Sequence, residues 1–388
     1  MCAETAYLIE LTAAFLRDEP VTLRPDIDYR KLCGIAKAHN LIAVVYAVCN
    51  KAPNTEVIPE DCRLALSEHF FSSVFLYEHQ KQGVERVYRV LSDAGIPHVF
   101  FKGAILKELY PVPECRLMGD IDLLINPANR QAAKKALMSS GFACTAQNGP
   151  VYDYRKGDVL LEVHTALISD DPRCETAFAN AMDQAQFEGC CGKLEDNYHF
   201  AYLIAHLAHH FRFYGAGIKL ILDLAVMLQR CRIDEKAVLT LCEKAGLAQF
   251  AKIVLTVCYR WYGVGTPYVE DTADCQAFLV HYGAFGNADR NKSAVIARRQ
   301  MEHGEKVSPL RSKLRLAFPT YSQMRHISYI RFLDGHPWLT PYAWCYRLVY
   351  NTRHRKDFMV RTARGLDSDD AYAAAKEELE FFKEMGLL

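Results

Sequence analysis

Two aspartates on one face of an apolar strand constrain this chain more than any other feature. They lie in Gly119-Asp120-Ile121-Asp122-Leu123-Leu124-Ile125. Side chains alternate across a strand, so residues at i and i+2 point the same way. Apolar neighbours bury this strand and leave two carboxylates together at its edge. Like charges held close are costly unless a cation joins them. A pair of divalent metal ions is the simplest such partner, and such a pair drives phosphoryl or nucleotidyl transfer. A third carboxylate arrives in Leu160-Leu161-Glu162-Val163-His164. An acid inside that apolar run is out of place unless it faces a site.

The residues before the aspartates supply an anion-binding turn. Ile96 to Phe101 reads as a short apolar strand, and Ala104 to Tyr110 as a helical turn stopped by Pro111 and Pro113. Gly103 therefore sits where a strand hands over to a helix. A glycine there lets an anion approach the backbone, the free N–H groups favour phosphate, and Lys102 adds a positive charge. After the aspartates, Ala128 to Ser140 reads as a helix closed by Gly141. Phe142 to Thr145, Val151 to Arg155 and Val159 to Thr165 read as strands of a small mixed sheet.

This order resembles the nucleotidyltransferase superfamily that includes DNA polymerase beta. It is more closely similar to a family of uncharacterised bacterial nucleotidyltransferases whose signature runs Lys-Gly, Tyr-Pro-x-Pro, Arg, then Asp-Ile-Asp-Leu-Leu. Here those elements read Lys102-Gly103, Tyr110-Pro111-Val112-Pro113, Arg116 and Asp120-Ile121-Asp122-Leu123-Leu124. Glu162-Val163-His164, Leu203 to Leu207, Gly217 to Leu224, Leu314 to Pro319 and Pro341-Tyr342 resemble its later segments. The likeness runs from the first helices to about residue 350. One departure is the turn itself, which is Gly103-Ala104 where the superfamily has Gly-Gly or Gly-Ser.

The resemblance implies an α+β fold, a small mixed sheet flanked by helical regions. It also implies a metal-dependent enzyme that moves a nucleoside monophosphate from an NTP to an acceptor hydroxyl and releases pyrophosphate. Asp120, Asp122 and Glu162 would be catalytic and hold Mg2+, with Mn2+ as a substitute. Glu162 would also help take the acceptor's proton. Lys102, Gly103, Ala104 and Arg116 would bind the β and γ phosphates. The acceptor stays open between a small molecule, an RNA end and a protein side chain. Two other functions stand beside this one: a non-catalytic nucleotide-binding module with the same fold, and a metal-dependent phosphohydrolase built on a histidine helix.

The 388 residues, 51% hydrophobic, can bury a full core in two or three domains. Lys plus Arg equals Asp plus Glu at 46 each, which argues against long nonspecific nucleic-acid binding but leaves room for a local basic patch. The 14 scattered cysteines lack a Cys-x-x-Cys pair and read as reduced core thiols of a cytoplasmic protein. Met1-Cys2-Ala3-Glu4 does not read as a signal peptide, and no apolar run reaches membrane-spanning length.

Four regions follow. Residues 1–95 are helical, over Ala6 to Arg17, Tyr29 to Lys51 and Pro59 to Asp93. Residues 96–173 form the catalytic core. Residues 174–262 read as helical, with breaks near Gly189-Cys190-Cys191-Gly192, Tyr214 to Gly217 and Gly246, and the resemblance implies that they close the cleft. Residues 263–388 begin with a polar variable segment and end in C-terminal helices, the last from Asp367 to Leu388.

Several smaller patterns carry two readings each. Asp26-Ile27-Asp28 repeats the Asp-x-Asp spelling but precedes a helix, so a solvated helix N-terminus is expected. His206 and His210 have the i, i+4 spacing of a zinc pair, yet Leu207-Ala208-His209 between them lacks the glutamate of a zinc protease. Packing or polar contacts are expected for His206, His209 and His210. His164 belongs to the site's surroundings or to the core. Lys219 and Asp223 form either an intrahelical ion pair or a cleft-facing pair on an almost wholly apolar helix, the latter making them nucleotide-binding. Arg353-His354-Arg355-Lys356 with Arg361 and Arg364 is a solvated basic face or an attractor for a phosphate-bearing acceptor. Trp261, Trp338 and Trp344 read as core anchors.

Overall fold

The alternation written into the two acidic strands becomes the two faces of a mixed sheet. The computed structural model describes residues 1–168, 171–283, 314, 317–324, 327–333, 335–354 and 369–388. Its strands are β1 (His98–Phe101), β2 (Ile121–Ile125), β3 (Ala143–Asn148), β4 (Val151–Lys156), β5 (Val159–His164), β6 (Ala185–Glu188) and β7 (Cys191–Leu194). They lie in the order β3-β4-β5-β2-β1-β7-β6. β2 is central, antiparallel to β1 and parallel to β5. Its five residues are all buried, as expected of a strand covered on both faces.

On one face Ile121, Leu123 and Ile125 join Leu161, Val163 and Phe100 in the main core of the sheet. The long helix that covers them brings Val87 and Leu91. By alternation Asp122 and Leu124 of β2, with Glu162 and His164 of β5, take the opposite face.

The helices of this part of the chain are α1 (Ala3–Arg17), α2 (Tyr29–Ala38), α3 (Ile42–Cys49), α4 (Glu60–Asp93), α5 (Gly103–Leu106), α6 (Arg130–Ser139), α7 (Pro172–Ala177), α8 (Asp196–Phe213), α9 (Ile218–Arg230), α10 (Glu235–Lys244), α11 (Ala248–Tyr262) and α12 (Ala273–His281). α4 is the covering helix. Glu60 and Asp61 suit the positive end of its dipole. It stops at Gly95, whose φ of 66° lets the Ile96 N–H reach back to the Leu91 carbonyl. Gly83 marks its closest approach to the sheet: a β-carbon there would come within 3.1 Å of Ile121 and Val159.

The structure revises the sequence reading at several points. Tyr29 to Lys51 is two helices, broken at Asn40, whose φ is 57°. The stretch from 174 is not all helical. Gly189, at φ 61°, turns β6 into β7, and β7 extends the sheet beside β1. Two strands of four residues offer too little period to be told from a helix break. Asp28 caps α2, accepting from the N–H groups of Arg30 and Lys31, which is the helix-terminus role expected of it.

The chain divides into two compact units, Met1–Thr145 with Pro150–Asn287, and Ala146–Gly149 with Ala288–Leu388. In the second unit, α13 (Tyr321–Met324), α14 (Thr340–His354) and α15 (Asp369–Glu384) are the described α-helices. Met324, Ile330, Leu333 and Ala343 form its small core. Trp344 packs against that core and donates to the Pro319 carbonyl, whereas Trp338 is 70% exposed, edge-on to the His336 ring, and is not the core anchor expected. Trp261, in the first unit, is buried and donates to Gln276. Arg353 and His354 are exposed at the end of α14; Arg355, Lys356, Arg361 and Arg364 lie outside the described residues. All 14 cysteines are free thiols. Among the described residues, no helix is long and apolar enough to cross a membrane.

Two glycine substitutions should move stability in opposite directions. Gly34 sits in α2 with nothing within 4 Å of the point an added β-carbon would occupy, so Gly34→Ala should stabilise by about 0.5–1 kcal/mol. Gly83→Leu should destabilise by about 1–3 kcal/mol, because α4 cannot keep its approach to Ile121 and Val159. Urea titrations of both variants against the parent protein check the pair.

Candidate active site

The parallel register of β2 and β5 sets Asp122 directly beside Glu162, and Leu124 beside His164. Ligand atoms of Asp122, Glu162 and His164 all lie within 4.8 Å of one another, the one such group of three or more among the described residues. Asp120 precedes β2 rather than lying in it and is not one of that group, but its carboxyl feels the charges of both Asp122 and Glu162 and lines the same cleft. The three acids foreseen from the sequence are therefore neighbours. They open onto a cleft of about 560 Å³ that Lys102, Gly103, Arg116 and Lys219 also line.

The charges are unequally compensated. Lys102 Nζ lies 2.7 Å from Asp122 Oδ1, and His164 Nε2 lies 3.1 Å from the same oxygen and 3.3 Å from Glu162 Oε2. Burial opposes the charge on Asp122, but Lys102 and His164 outweigh it and hold its carboxyl below the usual range. The hydrogen bond from His164 likewise lowers Glu162 against its burial. Burial disfavours the charged His164 ring, yet the two carboxylates raise its pKa. Asp120 has no such relief. Burial, then the charges of Asp122 and Glu162, push it up to about 7, and Lys102 offsets this only in part.

That residual negative charge is the observation against which a divalent cation can be tested. Three carboxylates converge, one of them is driven to bind a proton, and oxygen donors dominate the set. These residues fit Mg2+ or Mn2+.

Lys102 is held by unusual means. Its φ of 49° and ψ of −123° lie in a region that side chains rarely adopt. Its N–H donates to Nε2 of His199, a buried ring kept neutral because burial drops its pKa to about 4. Its ammonium lies 5.3 Å from the Phe101 ring centroid, and its charge acts on the buried Tyr202 hydroxyl. The following helix, α5, has four residues, so its dipole is slight and the turn's own N–H groups matter more. Gly103 has a packing reason as well as the expected phosphate one. A β-carbon there would come within 2.9 Å of Met118 and of Arg116 Nη1.

Arg116 is engaged differently from the sequence expectation. Its Nε and Nη2 donate to the two oxygens of Asp223 at 2.8 and 2.9 Å, and the Tyr110 hydroxyl donates to Asp223 at 2.7 Å. Asp223 thus pairs across to the Tyr-Pro-x-Pro segment instead of serving as a simple helical partner of Lys219. Lys219 Nζ donates to the Leu117 carbonyl at 2.9 Å, and burial with the Arg116 guanidinium lowers its pKa to about 8. Arg116 Nη1 still faces the Gly103 turn.

Sequence reasoning missed Tyr202 and His199, and it expected packing or polar contacts of the α8 histidines. The signal was available: residues 199, 202, 206 and 210 repeat at helical spacing. The structure sets His206, His209 and His210 on the cleft wall, and Tyr202 beside Lys102. His206 and His210 do not complete a ligand group among the described residues, so the phosphohydrolase reading lacks its metal site.

A protein-family model described as an uncharacterised nucleotidyltransferase matches residues 25–263. No curated protein and no solved structure matches the chain.

Two measurements test the electrostatics. From its ordinary 3.8 up to about 7, Asp120 binds its proton more tightly in the native protein than in the unfolded chain. Its contribution to stability therefore falls as pH rises through that window and is level above it. Asp120→Asn should melt at the parent's temperature near the bottom of the window and clearly higher at pH 8, by calorimetry without added metal. Asp223→Ala should cost about 3–5 kcal/mol in urea, because it strands the buried Arg116 guanidinium.

Proposed function

The chain belongs to the uncharacterised nucleotidyltransferase family, and from that premise we propose that it transfers a nucleoside monophosphate from an NTP to an acceptor hydroxyl. The observation that carries this reading is the register-enforced meeting of Asp122 and Glu162, with Asp120 uncompensated beside them. Asp120, Asp122 and Glu162 would hold the divalent cation, Mg2+ or Mn2+. When bound, it supplies charge neutralisation at the triphosphate and makes the acceptor hydroxyl more acidic.

The chain's own residues do the rest. Lys102 and Arg116 Nη1 flank the Gly103-Ala104 turn and bind the β and γ phosphates, and Lys219 extends that cationic edge. Asp223 and Tyr110 orient Arg116 for that task. The acceptor oxygen attacks the α-phosphorus in line. Its bond to phosphorus forms as the bond to the bridging oxygen breaks, and pyrophosphate leaves. Glu162, more exposed than Asp122, takes the hydroxyl proton. Within residues 174–262, α8 and α9 close the cleft over the nucleotide.

Asp122→Asn should reduce transfer by about 10²–10³-fold, the loss typical of one preorganised electrostatic contact. EDTA should abolish transfer and Mg2+ restore it. Labelled NTPs, each incubated with protein, Mg2+ and cell extract, provide the assay. Full transfer in EDTA, or by Asp122→Asn, would defeat the proposal.

A further inference from the structure

Helix α8 carries a run of aromatic rings that no role so far absorbs. Tyr202, His206 and His210 of α8 and Tyr214, the residue that caps it, follow one another at i+4 spacing and lie along a single face, each ring tilted or edge-on to the next. Ring centroids are 6.0 Å apart from Tyr202 to His206, 4.5 Å from His206 to His210 and 5.8 Å from His210 to Tyr214. All four line the cleft that holds the acids. The run starts at Tyr202, which lines the cleft with Lys102, and ends about 18 Å further along the helix axis at Tyr214, which is 53% exposed. It thus leads from the carboxylates to the mouth.

The chemistry of this wall differs from that of the rest of the cleft. The acids and Lys102, Arg116 and Lys219 are charged, as a triphosphate with its cation requires. The α8 wall is aromatic, and its His206 and His210 rings are held neutral. Burial keeps His206 well below its ordinary pKa and drops His210 to about 4. Neutral imidazole offers a π face, one donor and one acceptor. Nδ1 of His210 is buried away from solvent, so Nε2 is the ring nitrogen left to meet a ligand in the cleft. A phosphate-bearing acceptor would find no positive charge on these two rings. A planar heterocycle with edge donors and acceptors fits them. Lys219 lies five residues beyond Tyr214, on the same cleft, so phosphate-binding and ring-binding groups adjoin.

We propose that the α8 ladder of His206, His210 and Tyr214 is the nucleobase subsite, holding the base by stacking and reading its edge through the His210 imidazole. This rests on the nucleotidyl-transfer reading above and adds where the base lies and what selects it.

The test separates base from phosphate. Calorimetric titrations with Mg2+ would compare nonhydrolysable triphosphates of the four bases with inorganic tripolyphosphate. His206→Ala, His210→Ala and Tyr214→Ala should each weaken nucleotide binding by about 5- to 150-fold, the range expected of one lost base-stacking contact. Tripolyphosphate binding should not change. His210→Phe, which keeps the ring face, should retain most affinity but lose preference among the bases. Tyr214→Ala changes an exposed residue and keeps the test sound should a histidine variant fold poorly. Equal losses for nucleotide and tripolyphosphate, or undiminished nucleotide binding in folded variants, would overturn the subsite. So would a change confined to the acceptor's KM, or stoichiometric zinc held by His206 and His210. A parent protein that binds tripolyphosphate but favours no nucleotide over it defeats the subsite alone. One that binds no triphosphate at all defeats the functional reading with it.

Discussion

The pairing of β2 with β5 is the constraint on which the site depends. Parallel register puts Asp122 and Glu162 side by side, and alternation brings Asp120 and His164 to the same face. No rotamer choice can separate charges that the sheet has placed together. Lys102 answers Asp122 and His164 answers both strand acids, which leaves Asp120 one cation short. A group pushed to about 7 in this way is an electrostatic deficit stored in the fold, and such deficits mark functional sites. The deficit is tolerable because the opposite face of the sheet is a continuous apolar core under α4.

The turn after β1 shows the same division between strain and support. Lys102, not Gly103, adopts the unfavourable backbone conformation, at a cost on the order of 1–3 kcal/mol. Glycine at 102 would remove that strain and with it the ammonium that neutralises Asp122. The neutral His199 ring, accepting from the Lys102 N–H, satisfies the backbone where it is most bent. Gly103 then has a different task, since Met118 and Arg116 fill the space a side chain would need. Two adjacent residues thus meet two separate demands, one electrostatic and one steric.

What was legible in the sequence follows from the reach of each signal. The Asp-x-Asp strand, the glutamate strand and the Lys-Gly turn are local patterns whose side-chain directions follow from strand geometry, and the structure sets them together. The β6–β7 hairpin was not legible because four-residue strands around Gly189 carry almost no period. Nor was the partner of Asp223. Spacing on one helix offered Lys219, but the bidentate geometry of a guanidinium selected Arg116, 107 residues away in sequence. The α8 histidines were visible as a helical stripe. Whether a stripe faces a core or a cleft depends on what packs opposite, which one helix cannot reveal.

The Arg116–Asp223–Tyr110 cluster explains why distant sequence elements accompany one another in this chain. All three side chains are buried, so none could lose its partner without stranding a polar or charged group. Tyr110 opens the Tyr-Pro-x-Pro segment, Arg116 precedes the aspartates, and Asp223 lies on α9. Lys219, one turn earlier on α9, holds the Leu117 carbonyl. Together these contacts tie the loop leading into Asp120 to the helix behind the cleft. The loop's position, and hence the distance of Asp120 from Glu162, is thereby fixed by α9 as well as by the sheet. A segment that reads as an ordinary apolar helix is thus part of the geometry of the carboxylates, and the Arg116–Asp223 ion pair ties that helix to the loop that carries Asp120.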